Sequence, residues 1–206
     1  MTTPCAALLI IDMQNDFLHK NGFVPRYSKE IGVPENTFTL LLKPVPVIQK
    51  LEKFFNRRQL EIVYIYTAWN KDHSDVYIPL KKMKEEARLQ GALVEDSWGA
   101  EMITELIPRP ESHLIMKKSY GGFFRTDLDS LLKKLKIKTL FLTGVATNFC
   151  VETTAREAVG YGYGVVMVSD ATATYTEEGH RAALTVIGSG FGEIMTSEEV
   201  IKTLSD

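Results

Sequence analysis

The stretch that decides the fold is "KTLFLTGVATNFCVETTAREA", residues 138–158. Its first half is a continuous apolar run and its second half has helical spacing, so it predicts a strand at 139–144 followed by a helix at 148–160. Cys150, one of two cysteines in the chain, lies in the first turn of that predicted helix. The stretch therefore raises the question whether Cys150 is a small buried hydrophobe or a nucleophile.

The same alternation of short apolar runs and longer helical patterns continues along the chain. The apolar runs predict strands at 6–12, 61–67, 113–116, 139–144, 164–170 and 192–196. The helical patterns predict helices at 44–58, 98–107, 126–136, 148–160, 177–188 and 197–204. Two stretches, 18–43 and 68–97, are interpreted as long irregular excursions after strands, the second with a helix inside it. This order predicts an α/β sandwich around a mostly parallel sheet.

Length and composition are those of a globular protein and exclude several other classes. The chain has 206 residues, 45% of them hydrophobic, and a formal net charge of −2, so we interpret residues 1–206 as one domain that binds neither nucleic acid nor an anionic membrane. No run approaches the roughly 18 apolar residues of a membrane span, and a basic leader is absent, so the expected location is cytoplasmic. Two cysteines, Cys5 and Cys150, cannot form a disulfide framework or a four-cysteine zinc site.

Three chemically useful side chains lie where predicted strands end. Asp12 closes the first apolar run, Lys117 follows the third, and Cys150 follows the fourth. Because ligands of open parallel sheets bind beyond the carboxyl ends of the strands, these groups are expected at one edge. Simpler interpretations are that the cysteine is a buried hydrophobe and that the aspartate caps the next segment. Lys117 and Lys118 are adjacent, and their spacing alone does not show which of them faces the site.

The position of Cys150 at a helix start suits an anionic nucleophile. Thr147 or Asn148 is expected to cap the helix, leaving Cys150 in a first turn whose free N–H groups and dipole favour negative charge. A lysine nearby would favour the thiolate further, and a carboxylate could take the thiol proton. The sequence therefore predicts an activated thiol at this position.

Three motifs together resemble the isochorismatase-like cysteine hydrolases. They are "LLIIDMQNDFL" (8–18), "MKKSYGGFFRTDLDSLL" (116–132) and "LTGVATNFCVETTAREA" (142–158), and they occur in the order typical of that family. The resemblance implies a three-layer sandwich with a six-stranded, mostly parallel sheet flanked by helices. It also implies a catalytic triad of Asp12, Lys117 and Cys150, with Lys117 rather than Lys118 as the lysine.

The resemblance implies a mechanism as well. A cis peptide between Val145 and Ala146 would turn the Ala146 N–H toward an oxyanion beside the N–H of Cys150. Asp12 would take the thiol proton, Cys150 would attack a carbonyl, and Lys117 would stabilise the charged pair. The amine would then leave and water would hydrolyse the thioester. The resemblance implies no cofactor, and it implies that the protein forms a homodimer or a homotetramer.

The branches of this family differ at the nucleophile and in their metal ligands. Isochorismatases proper cleave a vinyl ether and commonly carry glycine at the position of Cys150, so a retained cysteine favours hydrolysis of a C–N bond. The nicotinamidase metal site needs an Asp-x-His pattern and a further histidine, whereas Asp72 and His73 are adjacent here, so no metal is expected. The alternatives that stay open are a vinyl ether hydrolase, a catalytically silent binding protein and a redox-active thiol protein.

The expected substrate is a small amide or ureide. Within the amidase branches, residues 88–110 and 144–158 are most similar to the ureidoacrylate amidohydrolases. Aromatic and polar residues near the strand ends are the candidates for the wall of the substrate site: Phe17, Trp69, Asn70, Tyr120 and Phe123. No basic residue is recognisable as a carboxylate clamp, so the sequence leaves the charge of the substrate open.

Overall fold

The computed structural model of the protein describes residues 5–34, 37–77 and 81–205, and six strands within them form one sheet. The strands are β1 (Ala6–Ile11), β2 (Glu61–Thr67), β3 (His113–Lys117), β4 (Thr139–Val145), β5 (Gly164–Ala173) and β6 (Glu193–Met195). Their order is β3-β2-β1-β4-β5-β6, and every neighbouring pair is parallel. The prediction of a six-stranded parallel α/β sheet is therefore confirmed.

Helices of very different length connect these strands. Four short helices follow β1: α1 (Asn15–Leu18), α2 (Phe23–Arg26), α3 (Ser28–Ile31) and α4 (Thr37–Leu42). The remaining helices are α5 (Val45–Arg57), α6 (Lys81–Gln90), α7 (Leu128–Lys134), α8 (Glu152–Gly160), α9 (Glu177–Gly190) and α10 (Ser197–Ser205). The helix expected within 68–97 is α6.

Both faces of the sheet are covered by helices, because the strands are apolar on both sides. All six residues of β1 are buried, and alternate residues enter different cores. Leu8 and Ile10 belong to the core that α5 and α10 cover, whereas Leu9 and Ile11 belong to the core that α7, α8 and α9 cover. This arrangement gives three layers, with the sheet in the middle.

Two predictions of local structure are wrong. The segment 18–43 is mostly helical rather than irregular, because glycine and proline residues divide its helical pattern into short pieces; Gly32, with φ of 76°, ends α3. The helix expected at 98–107 is two single 3₁₀ turns, Trp98–Ala100 and Thr104–Leu106.

The cause of the second error lies in a distant part of the chain. The loop after β1 takes the backbone groups that a helix over 98–107 would need for its own hydrogen bonds. Asn15 N–H donates to the Glu101 carbonyl at 2.9 Å, and Ile103 N–H donates to the Met13 carbonyl at 2.9 Å. Tertiary hydrogen bonds therefore replace the helical ladder there.

The strand order places a crevice between β1 and β4. The chain proceeds from β1 toward β3 on one side and from β4 toward β6 on the other, so the direction of winding reverses between the two central strands. Ligands of such sheets bind at this point, beyond the carboxyl ends of the strands.

Among the helices of the described ranges, none is both long and apolar enough to cross a membrane.

Candidate active site

Asp12 occupies the first position after β1 and is fully buried. Its φ of 53° turns the chain sharply at the end of the strand, an uncommon conformation for a residue other than glycine. The Asp12 N–H donates to the Ile65 carbonyl of β2 at 2.8 Å, which holds this turn against the sheet. The carboxylate is thereby held at the crevice between the central strands.

Lys117 is the last residue of β3, and its ammonium group lies inside the protein. It donates to Thr67 Oγ1 at 2.6 Å, to the Ser119 carbonyl at 3.0 Å and to Cys150 Sγ at 3.5 Å. The nitrogen also lies 2.8 Å from Asp12 Oδ2, with which it forms a buried ion pair. Four groups therefore surround the three N–H groups of the lysine.

The ion pair explains why this lysine stays charged in the interior. Burial by itself would lower the pKa of Lys117, but the Asp12 carboxylate held beside it in this buried environment raises that pKa above its ordinary value. The ammonium is therefore a permanent positive charge between an acid and a thiol.

Thr67 is a site residue that the sequence analysis missed. It ends β2, the strand between β1 and β3, and is paired in register with Lys117. Its hydroxyl accepts from Lys117 and donates to Asp12 Oδ1 at 3.0 Å, so it connects the two charged groups. Its position in the sheet is the signal that could have identified it. β2 lies between the strands that lead to Asp12 and Lys117, and its last residue carries a hydroxyl group.

Gln14 holds Thr67 in place and was missed as well. Its side-chain amide donates to the Thr67 carbonyl at 2.7 Å and accepts from the Thr67 N–H at 2.8 Å. The second hydrogen of the amide reaches the Ala100 carbonyl at 2.7 Å. These hydrogen bonds join a buried side chain to the backbone at the end of β2. They therefore fix the position of Thr67, whose hydroxyl contacts Asp12.

Cys150 lies in a π-helical turn, Thr147–Val151, that connects β4 to α8. The peptide bond between Val145 and Ala146, just before the turn, is cis. In the described part of the chain, the Ala146 N–H has no hydrogen-bond acceptor. Wide turns of this kind are frequent at functional sites.

The predicted cap of this helix is wrong. The N-cap residue is Ala146, and neither Thr147 nor Asn148 caps the turn with its side chain. Thr147 Oγ1 lies 2.9 Å from His180 Nδ1, and Asn148 Oδ1 accepts from Thr174 Oγ1 at 2.5 Å. These side chains point to β5 and α9 instead, and they hold the turn from behind.

The prediction of a favoured thiolate is also wrong. Burial, followed by the Asp12 carboxylate, raises the pKa of Cys150 to about 12, although Lys117 acts in the opposite direction. At neutral pH the resting sulfur is therefore a neutral thiol beside a carboxylate.

A first prediction concerns alkylation of this thiol. In a Cys5→Ala background, reaction of Cys150 with iodoacetamide is expected to be slow at pH 7 and to rise with pH up to at least pH 10, because the thiolate fraction keeps growing below a pKa of about 12. The rate is measured by mass spectrometry of the intact protein. A rate that is already maximal at pH 7 would show a resting thiolate instead.

The side chains of the triad open into a narrow cavity of about 50 Å³. Among the predicted wall residues, Phe17, Trp69 and Tyr120 line it. The structure adds residues from α4, α6, the π-helical turn and the segment after β5, namely Leu41, Met83, Phe149 and Tyr175. Most of this wall is thus aromatic or aliphatic.

Asn70 and Phe123 do not line this cavity, so their prediction as wall residues is corrected. Asn70 is exposed, and its N–H donates to Asp75 Oδ1 in the turn after β2. Phe123 is buried in the core on the other face of the sheet, where its ring stacks on Tyr161 at 5.0 Å. Nearness to a strand end in sequence therefore selected both residues wrongly.

The described residues contain no group of three or more His, Cys, Asp or Glu side chains arranged to hold a metal ion. His73, from the adjacent Asp72–His73 pair, is buried with Nε2 2.8 Å from the Ala92 carbonyl. Its ring packs against Trp69 at 5.5 Å. The structure therefore places His73 behind the cavity wall.

With this geometry established, the chain can be compared with known proteins. The isochorismatase domain matches residues 6–199. This chain belongs to the isochorismatase family. Ureidoacrylate amidohydrolase RutB of Rhizobium rhizogenes is 30% identical over 177 residues, which are 81% of this chain and 69% of that protein.

Solved structures of the isochorismatase family agree with the fold. A cysteine hydrolase from Pseudomonas syringae is 26% identical with a TM-score of 0.86, covering 100% of this chain and 94% of that one. N-carbamoylsarcosine amidase from Thermoplasma acidophilum is 25% identical with a TM-score of 0.73, covering 94% of this chain and 96% of that one. The resemblance drawn from the three motifs is thus confirmed at the level of the family.

Proposed function

We propose that this isochorismatase-family protein hydrolyses the C–N bond of a small amide or ureide through a thioester on Cys150. The observation that carries the proposal is the position of the Lys117 ammonium, 2.8 Å from Asp12 Oδ2 and 3.5 Å from Cys150 Sγ at the cavity. An ammonium group that contacts both a carboxylate and a thiol brings together the positive charge, the base and the nucleophile that covalent acyl transfer requires.

The first step is attack by sulfur on the substrate carbonyl. Asp12 takes the proton from the Cys150 thiol as the S–C bond forms, and the carbonyl electrons move to oxygen. A raised thiol pKa fits this order, since the proton leaves only when attack begins. The N–H groups of Ala146 and Cys150 are the donors we assign to the resulting oxyanion.

The second half of the cycle returns the enzyme to its resting state. Protonated Asp12 gives its proton to the leaving nitrogen, the C–N bond breaks, and ammonia or an amine departs. Asp12 then takes a proton from water as the water oxygen attacks the thioester, and the sulfur leaves and regains a proton from Asp12. The products are the acid and the amine, and Lys117 stays charged throughout to stabilise the departing thiolate.

The names of relatives support a C–N bond as the target. One relative is named an amidohydrolase and a structural neighbour is named an amidase. Cleavage of a vinyl ether needs an aspartic acid that gives up a proton at the start. In this chain Asp12 lies beside a lysine that contacts a thiol at position 150, where the ether-cleaving branch commonly carries glycine.

A panel of small primary amides and ureides tests the proposed function. We expect release of ammonia from at least one member, at a rate that EDTA does not change. Release is measured by a coupled ammonia assay, with the Cys150→Ala protein as the matched control. If no member is hydrolysed, or if the Cys150→Ala protein is equally active, the proposal is wrong.

A further inference from the structure

We infer that the substrate is uncharged, a neutral amide or ureide whose remaining part is apolar, rather than one that carries a carboxylate. This inference rests on the proposed function and deepens it. It answers the question of charge that the sequence leaves open. Two observations support it: most side chains that line the cavity are apolar, and the charged groups in the cavity already have partners.

The wall of the cavity offers apolar contact rather than ionic contact. Outside the triad and Thr67, its side chains are hydrocarbon, aromatic or thioether groups, with the phenol rings of Tyr120 and Tyr175 as the polar exceptions. Phe149 lies between these rings, 5.8 Å from Tyr120 and 5.6 Å from Tyr175. Such a wall fits a small group with an apolar face.

The only positive charge that lines the described cavity is already engaged. Lys117 makes its ion pair with Asp12, and its N–H groups reach Thr67, Ser119 and Cys150. The triad therefore carries no net charge when the thiol is neutral. A carboxylate on the substrate would add a second negative charge near Asp12 without a cation to balance it, which is unfavourable in an apolar site.

Three basic side chains on neighbouring elements have partners elsewhere. Lys43 pairs with Glu177 at 2.5 Å, and Lys118 pairs with Asp75 at 2.9 Å. Lys84 of α6 directs its ammonium to the Val76 carbonyl at 3.4 Å. The residues outside the described ranges, 1–4, 35–36, 78–80 and 206, include no Lys, Arg or His in the sequence.

The inference separates this chain from relatives whose names contain an acid. Acrylate and sarcosine are the acids in the names of the amidohydrolase and the amidase to which the chain is similar. At 30% and 25% identity, the pocket can differ while the triad is retained. The apolar cavity wall therefore indicates a substrate without a carboxylate, hydrolysed at the same type of bond.

Matched pairs of amides test this inference in the native protein. Each pair differs only in an acetyl group that replaces a carboxylate: 3-acetylbenzamide with 3-carbamoylbenzoate, and 4-oxopentanamide with succinamate. We expect kcat/KM for ammonia release to be about a hundredfold higher for the neutral member of a hydrolysed pair. Equal values, or a preference for the carboxylate, overturn the inference while the proposed function stands.

A substitution in the cavity wall provides a second test of the inference. Met83→Arg is expected to raise kcat/KM of the anionic member relative to its neutral partner by about tenfold, whereas the matched uncharged control, Met83→Gln, is expected to leave the ratio unchanged. An unchanged ratio in folded Met83→Arg counts against the inference. If no amide or ureide of either charge is hydrolysed by the native protein, the proposed function itself fails, and the inference fails with it.

Discussion

Cys150→Ala is expected to lower kcat/KM for amide hydrolysis by about 10⁴-fold or more. The variant removes the sulfur that forms the thioester in the proposed mechanism, so the first step can no longer occur. The measurement is ammonia release from the best substrate of the panel, with substrate binding followed separately by calorimetry. Binding is expected to persist, because the cavity wall is unchanged.

The matched control is Cys5→Ala, which removes the other cysteine. Cys5 is exposed, and it lies just before β1, at the end of the strand opposite the site. Full activity is expected in this variant. Comparable activity of Cys150→Ala and the native protein would remove covalent catalysis, and a large loss in Cys5→Ala would show a role for the second thiol.

Lys117→Met is expected to lower the free energy of unfolding by about 3–5 kcal/mol, the range found when one partner of a buried ion pair is removed. The methionine fills most of the volume but leaves the Asp12 carboxylate buried without its counter-charge, and it also removes the hydrogen bonds to Thr67 and Ser119. Urea-induced unfolding measures the change, provided that the m-value stays constant.

The adjacent lysine provides the control. Lys118→Met breaks the contact with Asp75 nearer the surface and is expected to change stability by about 1 kcal/mol or less. Adding Asp12→Asn to Lys117→Met is expected to recover much of the loss, because the uncompensated charge is then gone. Similar effects of Lys117→Met and Lys118→Met would contradict the buried ion pair.

The strands and the triad positions could be predicted because both are local features of a parallel sheet. A strand buried on both faces must be apolar along its length, so β1, β2 and β4 are visible as continuous runs. The polar residue that ends such a run must lie at the sheet edge, which predicts Asp12 and the pair Lys117 and Lys118, and the family resemblance then selects Lys117. The single domain, the cytoplasmic location and the homodimer or homotetramer stay predictions.

Residues that act through distant contacts could not be found in this way. Thr67 contacts both charged groups only because β2 lies between β1 and β3, and Gln14 contacts Thr67 only because its amide meets the end of β2. The wall residue Met83 comes from a helix whose position after β2 has no local signal. Asn70 and Phe123 were wrongly assigned to the wall because nearness to a strand end in the sequence does not say which way a side chain points.

The sequence by itself determined the order of strands and helices and the three residue types at the edge of the sheet, since both depend on the pattern of apolar residues along the chain. Only the tertiary structure decided the state of the thiol and the character of the cavity. The pKa of Cys150 is raised by burial and by Asp12, and both arise from elements far apart in sequence. Desolvation depends on everything that surrounds a group, and for that reason no local pattern contains it.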